Sequence, residues 1–207
     1  MTTIVMATGN RHKAAEMRSL LASYTGDDYE LVTMSDAGFD GEIDENGSTF
    51  AENAYIKAKT VCEATGKITV ADDSGLCIDA LDGRPGVYSA RYCGNSGYDV
   101  KMAKLLDELK DVPCEKRTAY FGCAICCVYP DGRHFTVEEK CVGLIAPEPK
   151  GNGDFGYDPI FYYPPSGKTF AEMTGDEKNG ISHRGKAVEG FIKAFFADKR
   201  FPLQTEK

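Results

Sequence analysis

One apolar spacing, i, i+3, i+4, i+7, recurs along the chain: at Met17, Leu20, Leu21 and Tyr24, at Met102, Leu105, Leu106 and Leu109, and at Val188, Phe191, Ile192 and Phe195. Residues so placed share one face of an α-helix, so each segment needs a packed layer on that side only. The second stripe predicts a helix over Tyr98–Lys110. Thr49-Phe-Ala-Glu52 adds a capping box that opens a further helix to about Ala64, with Gly66 as its stop. Between the helices lie short apolar runs of strand length, Ile4–Ala7, Glu30–Thr33, Ile68–Ala71 and Leu76–Ile78. Two longer strands, Arg117–Tyr129 and His134–Ile145, flank the hairpin signal Pro130-Asp-Gly132, and Pro159–Tyr163 reads as another short strand. Ser35–Gly47 and Asp82–Gly86 read as loops. This alternation predicts an α/β fold: a single elongated domain over residues 1–207, with a mixed central β-sheet flanked by helices.

The segment Ala71-Asp72-Asp73-Ser74-Gly75 closes the third apolar run. Paired carboxylates beside a hydroxyl make a poor core and a good platform for a divalent metal. Mg²⁺ takes hard oxygen ligands and is commonly held by one or two carboxylates plus substrate phosphates. Gly75 is expected to turn the backbone sharply there, and a plain turn with aspartate caps is the competing reading.

Three other segments supply matching chemistry. Thr8-Gly9-Asn10-Arg11-His12-Lys13 marks a strand-to-helix junction, where backbone N–H groups favour an anion and Lys13 sits one turn in. It lacks the spacing of a Walker A loop, and a plain strand-to-helix turn with an Asn cap is the competing reading. In the stretch from Glu45 to Ala58, Asn53 and Lys57 are four apart and share a helical face, which is either functional or merely solvated. Glu45 precedes that helix and is free to bind metal. Gly151–Pro159 carries three glycines around Phe155 and Tyr157, suited to stacking a planar base, with a surface loop that tucks an aromatic inward as the competing reading. Lys178, His183 and Arg184 offer base-edge donors, although Ser182 in that stretch fits a plain helix N-cap. Together these segments make a nucleotide site, expected in an active-site cleft between two lobes.

Composition narrows the partners. A net charge of −8 without any basic run argues against polymeric nucleic acid along a broad face. No apolar stretch approaches the ~20 residues that span a bilayer, and the N-terminus lacks the pattern of a signal peptide, so no membrane partner and a cytoplasmic location are expected. The eight cysteines read as buried reduced thiols, because Cys123 and Cys126 fall on opposite faces of a strand and no second ligand pair completes a zinc set.

In order along the chain, T-G-N-x-x-K at Thr8–Lys13, E-x-G-x-T-F-x-E-N-A-x-x-K-A at Glu45–Ala58, A-D-D-S-G at Ala71–Gly75 and P-G-V-Y-S-A-R-Y at Pro85–Tyr92 resemble the inosine triphosphate pyrophosphatase family, the XTP/dITP diphosphatases. F-G-Y-D-P at Phe155–Pro159 and E-K-x-x-I-S-H-R-G at Glu177–Gly185 extend the resemblance over nearly the whole chain. It implies Mg²⁺-dependent hydrolysis of ITP, dITP and XTP to monophosphate and pyrophosphate by a cytosolic homodimer. By position, Thr8, Gly9, Asn10, Arg11, His12 and Lys13 would hold the triphosphate, assisted by Lys57. Glu45 and Asp73 would bind metal, with Asp73 also the general base. Ser74, Phe155, Gly156, Tyr157, Asp158, Lys178, His183 and Arg184 would contact the nucleotide. Asp44 beside Glu45 leaves open which carboxylate ligates. A different metal phosphohydrolase on a similar fold, or a nucleotide sensor without turnover, are the competing classes.

Overall fold

A computed structural model describes residues 2–9, 14, 17–18, 29–152 and 155–197. The expectations for Asn10, Arg11, His12 and Lys13, and for the stripe through Leu20, Leu21 and Tyr24, lie outside these residues. Seven described strands form one sheet in the order β2-β1-β3-β4-β5-β6-β7. They are β1 (Thr2–Met6), β2 (Tyr29–Thr33), β3 (Ile68–Ile78), β4 (Thr118–Val128), β5 (His134–Ile145), β6 (Phe161–Tyr163) and β7 (Lys168–Thr169). β1 runs parallel to β2 and β3, while β5, β6 and β7 pair antiparallel, so the sheet is mixed as expected. The described helices are α1 (Phe50–Thr65), α2 (Tyr98–Glu108), α3 (Gly175–Asn179) and α4 (His183–Ala197), with short 3₁₀ turns between elements. None of them is long and apolar enough to cross a membrane.

The structure corrects three local expectations. Ile68–Ala71 and Leu76–Ile78 are one eleven-residue strand, with no turn at Gly75. The acidic pair does not break the ladder because the carboxylate at Asp73 finds side-chain partners, described below, and needs no turn to reach water. The capping box at Thr49 is only half formed. Thr49 accepts from the Glu52 N–H at 3.1 Å, but the Glu52 carboxylate closes on the Ser48 N–H and hydroxyl, at 2.6 and 2.7 Å. Gly66, at φ 65°, ends α1 as expected. Helix α3 was not anticipated, although its signal is plain in retrospect: Thr174 and Glu177 form a reciprocal capping box.

By internal contacts the chain comprises two compact units. The first contains Met1–Asp73, Ala124–Glu138 and Ala187–Lys207. Its core joins Val5 and Ala7 to Ala54, Ala58, Val61 and Cys62 of α1 and to Ala124, Cys126 and Val128 of β4. Tyr129, directly after β4 and out of phase with those residues, meets Phe195 of α4 face to face at 6.3 Å, so α1 and α4 cover opposite faces of these strands. All four residues of the α4 stripe are buried. The second unit contains Ser74–Cys123 and Glu139–Lys186. Its core sets Leu105 of α2 and Leu109 at its C-cap against Leu76, Ile78, Phe121, Ile160, Phe161 and Phe170, with Met102 and Leu106 partly buried beside them. All eight cysteines are free. Six are buried, Cys93 is half-buried, and Cys114 departs from expectation in being exposed.

Candidate active site

In the first unit the site grows from the start of α1. Asn53 and Lys57, one helical turn apart, both point inward, at 1% and 9% exposure; the solvated-face reading fails for both. Lys57 Nζ donates to Glu45 Oε2 at 2.9 Å and to Asp73 Oδ1 at 3.1 Å. Asn53 Nδ2 donates to the other Asp73 oxygen at 3.2 Å, and its Oδ1 accepts from the Gly47 N–H at 2.8 Å. Three segments, the Glu45–Gly47 loop, the first turns of α1 and the middle of β3, thus meet around one carboxylate. Asp44 is exposed and bonds Asn46 at 3.2 Å, so Glu45 is the member of the acidic pair that joins this cluster. Thr8 and Gly9 follow β1, with the Thr8 N–H bonded to the Met6 carbonyl at 2.9 Å.

Charge decides what this cluster invites. Burial works against the Lys57 ammonium, but Asp73, Glu45 and Asp72 outweigh it and hold Lys57 above its ordinary value. Burial pushes the Asp73 carboxyl above the usual carboxylate range, and Lys57 and Asn53 pull it only part of the way back. Two carboxylates, Glu45 and Asp73, against one ammonium leave a net anionic cluster of hard oxygens, which is the donor chemistry of Mg²⁺. Each Asp73 oxygen keeps a lone pair beyond the bond it already accepts. Among the described residues no group of three or more His, Cys, Asp or Glu side chains forms a metal cage. Mg²⁺ does not require one when waters and phosphates complete its shell, so Glu45 and Asp73 fit it.

The second unit gathers a different set. Phe155 is 43% exposed, with Lys178 Nζ 4.8 Å and Arg184 Cζ 5.5 Å from its ring centre. Lys178 pairs with the buried Asp158, whose carboxyl burial pushes upward against the pull of Lys178. Arg184 also donates to Ser74 Oγ at 3.3 Å. His183 is buried and stacks on Phe121 at 4.8 Å, while Ser182 accepts from the Gly185 N–H as the N-cap of α4. Tyr157 is placed differently from its neighbours. Its ring sits in the core and its hydroxyl donates to the Ser89 carbonyl at 2.8 Å, leaving main-chain groups as what this position can offer a ligand. Phe155, Asp158, Lys178 and Arg184 therefore form an exposed aromatic face with fixed cationic donors.

Asn53 was singled out in the sequence only as a polar neighbour of Lys57. Its four-residue spacing from Lys57 was the available signal; its partners, 6 and 20 residues away, were not readable.

A profile of the Ham1 family matches residues 4–194. A dITP/XTP pyrophosphatase of Nitratidesulfovibrio vulgaris is 48% identical over 198 residues, 92% of this chain and 94% of that protein. One from Geobacillus kaustophilus is 48% identical over 189 residues, 91% of each. Among solved structures, a HAM1 protein from Coxiella burnetii superposes with a TM-score of 0.88 at 39% identity, covering 95% of this chain and all of that one.

Proposed function

The chain belongs to the Ham1 family, and from that membership we propose that it is a nucleoside triphosphate pyrophosphatase acting on dITP, ITP and XTP. Water adds at the α-phosphorus, the α–β anhydride breaks, and nucleoside monophosphate and pyrophosphate leave. The observation that carries this reading is Lys57 seated between Glu45 and Asp73, an anionic oxygen cluster with its own cation. A pure binding module has no use for half-buried carboxylates beside a polyanion.

Asp73 takes the proton of the attacking water, a role suited to a carboxylate held above its ordinary range. Glu45 and Asp73 would hold a Mg²⁺ ion, which would supply charge neutralisation at the phosphates and acidify water. Lys57 offsets phosphate charge as a point cation, and the Thr8–Lys13 segment serves the same polyanion. Phe155 stacks the base, and Arg184 and Lys178 donate to it while accepting nothing. Inosine and xanthine present a 6-oxo acceptor to such donors; adenine presents an amino group and leaves donor facing donor. The removal of deaminated purines from the nucleotide pool in the cytoplasm, by a homodimer, follows from the same reading.

Pyrophosphate release across a panel of triphosphates tests it. Turnover is expected on ITP, dITP and XTP, weakly on GTP, and almost none on ATP or CTP, by factors near 10⁴ for a site built on buried hydrogen bonds. Chelation of divalent metal should abolish it. Equal efficiency on ATP and ITP overturns the reading.

A further inference from the structure

Resting on that reading, we propose that Asn53 is a positioning residue that locks Asp73 to the Glu45 loop, so that both carboxylates meet the metal at one fixed separation. Its amide spends every strong contact on this link: Oδ1 on the Gly47 N–H at 2.8 Å, two residues from Glu45, and Nδ2 on Asp73 Oδ2 at 3.2 Å. Only one amide orientation satisfies both ends, because a backbone N–H can only donate and a carboxylate can only accept. The side chain is 1% exposed, so water does not compete for either bond.

Lys57 cannot supply this constancy. Its ammonium touches the same two acidic groups, but it is held there by charge, and an incoming triphosphate competes for it. A neutral amide has no such pull and stays in place through the cycle. The loop is shaped to the link as well. A Cβ at Gly47 would lie 2.8 Å from Asn53 Oδ1 and 2.7 Å from Glu52 Cβ, so only glycine allows this approach. Nor is Asn53 needed to start α1, since Thr49 and the Glu52–Ser48 bonds already secure its first turn.

The test compares the full-length parent with Asn53→Ala, Gly47→Ala and the double variant. Mn²⁺ binding is followed by electron paramagnetic resonance, with the protein alone and with α,β-methylene dITP. Mg²⁺ half-saturation, kcat and KM for dITP, and thermal melting are measured in parallel. Outer groups that orient metal ligands typically contribute about 10–100-fold to affinity or activity. Asn53→Ala should weaken Mn²⁺ binding and lower kcat within that range while KM for dITP stays within about threefold. Gly47→Ala breaks the link from its other end, leaves Asn53 and Asp73 chemically intact, and should reproduce the effect; it decides the matter if Asn53→Ala does not fold. The double variant should be no worse than the more damaging single one, since both cut one connection. Parent-like Mn²⁺ affinity in both single variants, or fully additive losses, overturns the proposal. A parent that releases no pyrophosphate from dITP overturns the proposed function instead, and the Mn²⁺ isotherms still judge Asn53.

Discussion

Both oxygens of Asp73 accept a hydrogen bond, Oδ1 from Lys57 and Oδ2 from Asn53, on a side chain with 13% of its surface exposed. Converting it to Asn places an amide donor among donors and removes both metal affinity and basicity at unchanged shape. Asp73→Asn should reduce dITP turnover by roughly a hundredfold or more while nucleotide binding survives in part; single-turnover kinetics beside equilibrium binding separates the two. Near-normal turnover removes Asp73 from the chemistry. That Asp73, Glu45 and Lys57 belong to one cluster was legible because charge, spacing and motif order all concern residue type, which the sequence displays directly. Asn53 and the inward-turned Tyr157 were not. A four-residue spacing says that two side chains share a face but not whether that face meets water or a carboxylate twenty positions on, and a glycine-rich stretch does not reveal which of its aromatics the core will claim.

At the level of elements, the approach of α3 to α4 fixes where Lys178, His183 and Arg184 sit. Gly185 lies in the first turn of α4, directly after His183 and Arg184, and a Cβ there would fall 1.9 Å from the Asn179 carbonyl oxygen. That contact is with backbone and cannot be relieved by a rotamer change. Gly185→Ala should therefore destabilise the protein by about 1–3 kcal/mol through overpacking, and, by shifting Arg184, lower the preference for ITP over ATP. Gly180→Ala is the internal control, since its Cβ would meet nothing closer than 3.7 Å; it should melt within about 0.5 kcal/mol of the parent. Equal melting of the two variants defeats the argument. The main elements were readable from periodicity, and α4 buries its whole predicted stripe. The uninterrupted β3 was not, because Asp, Ser and Gly in succession carry turn propensity, whereas here Lys57 and Asn53 partner Asp73 within the strand. Local propensity lost to a tertiary partner.

For the whole molecule, the two compact units are not consecutive stretches of chain. β3 contributes Ile68–Asp73 to the first and Ser74–Ile78 to the second, β4 and β5 are divided likewise, and α4 begins in one and continues in the other. Apolar alternation along a strand shows which residues are buried, not that the two halves of one strand serve different cores, so this division was invisible in the sequence. A unit whose strands continue into the other cannot lose its core without releasing the ends of those strands. Melting should accordingly be a single cooperative event, with equal calorimetric and van't Hoff enthalpies and coincident far-UV and tyrosine signals; the chain has no tryptophan to complicate the latter. Leu105, fully buried in the second core, provides the perturbation. Leu105→Ala should cost about 2–5 kcal/mol, lowering the one midpoint by roughly 4–20 °C at this chain length. If the units are independent, the same variant will instead split the melt, with one transition moving and the other staying at the parent temperature. A split melt would mean that strands crossing a boundary in the chain do not transmit stability across it.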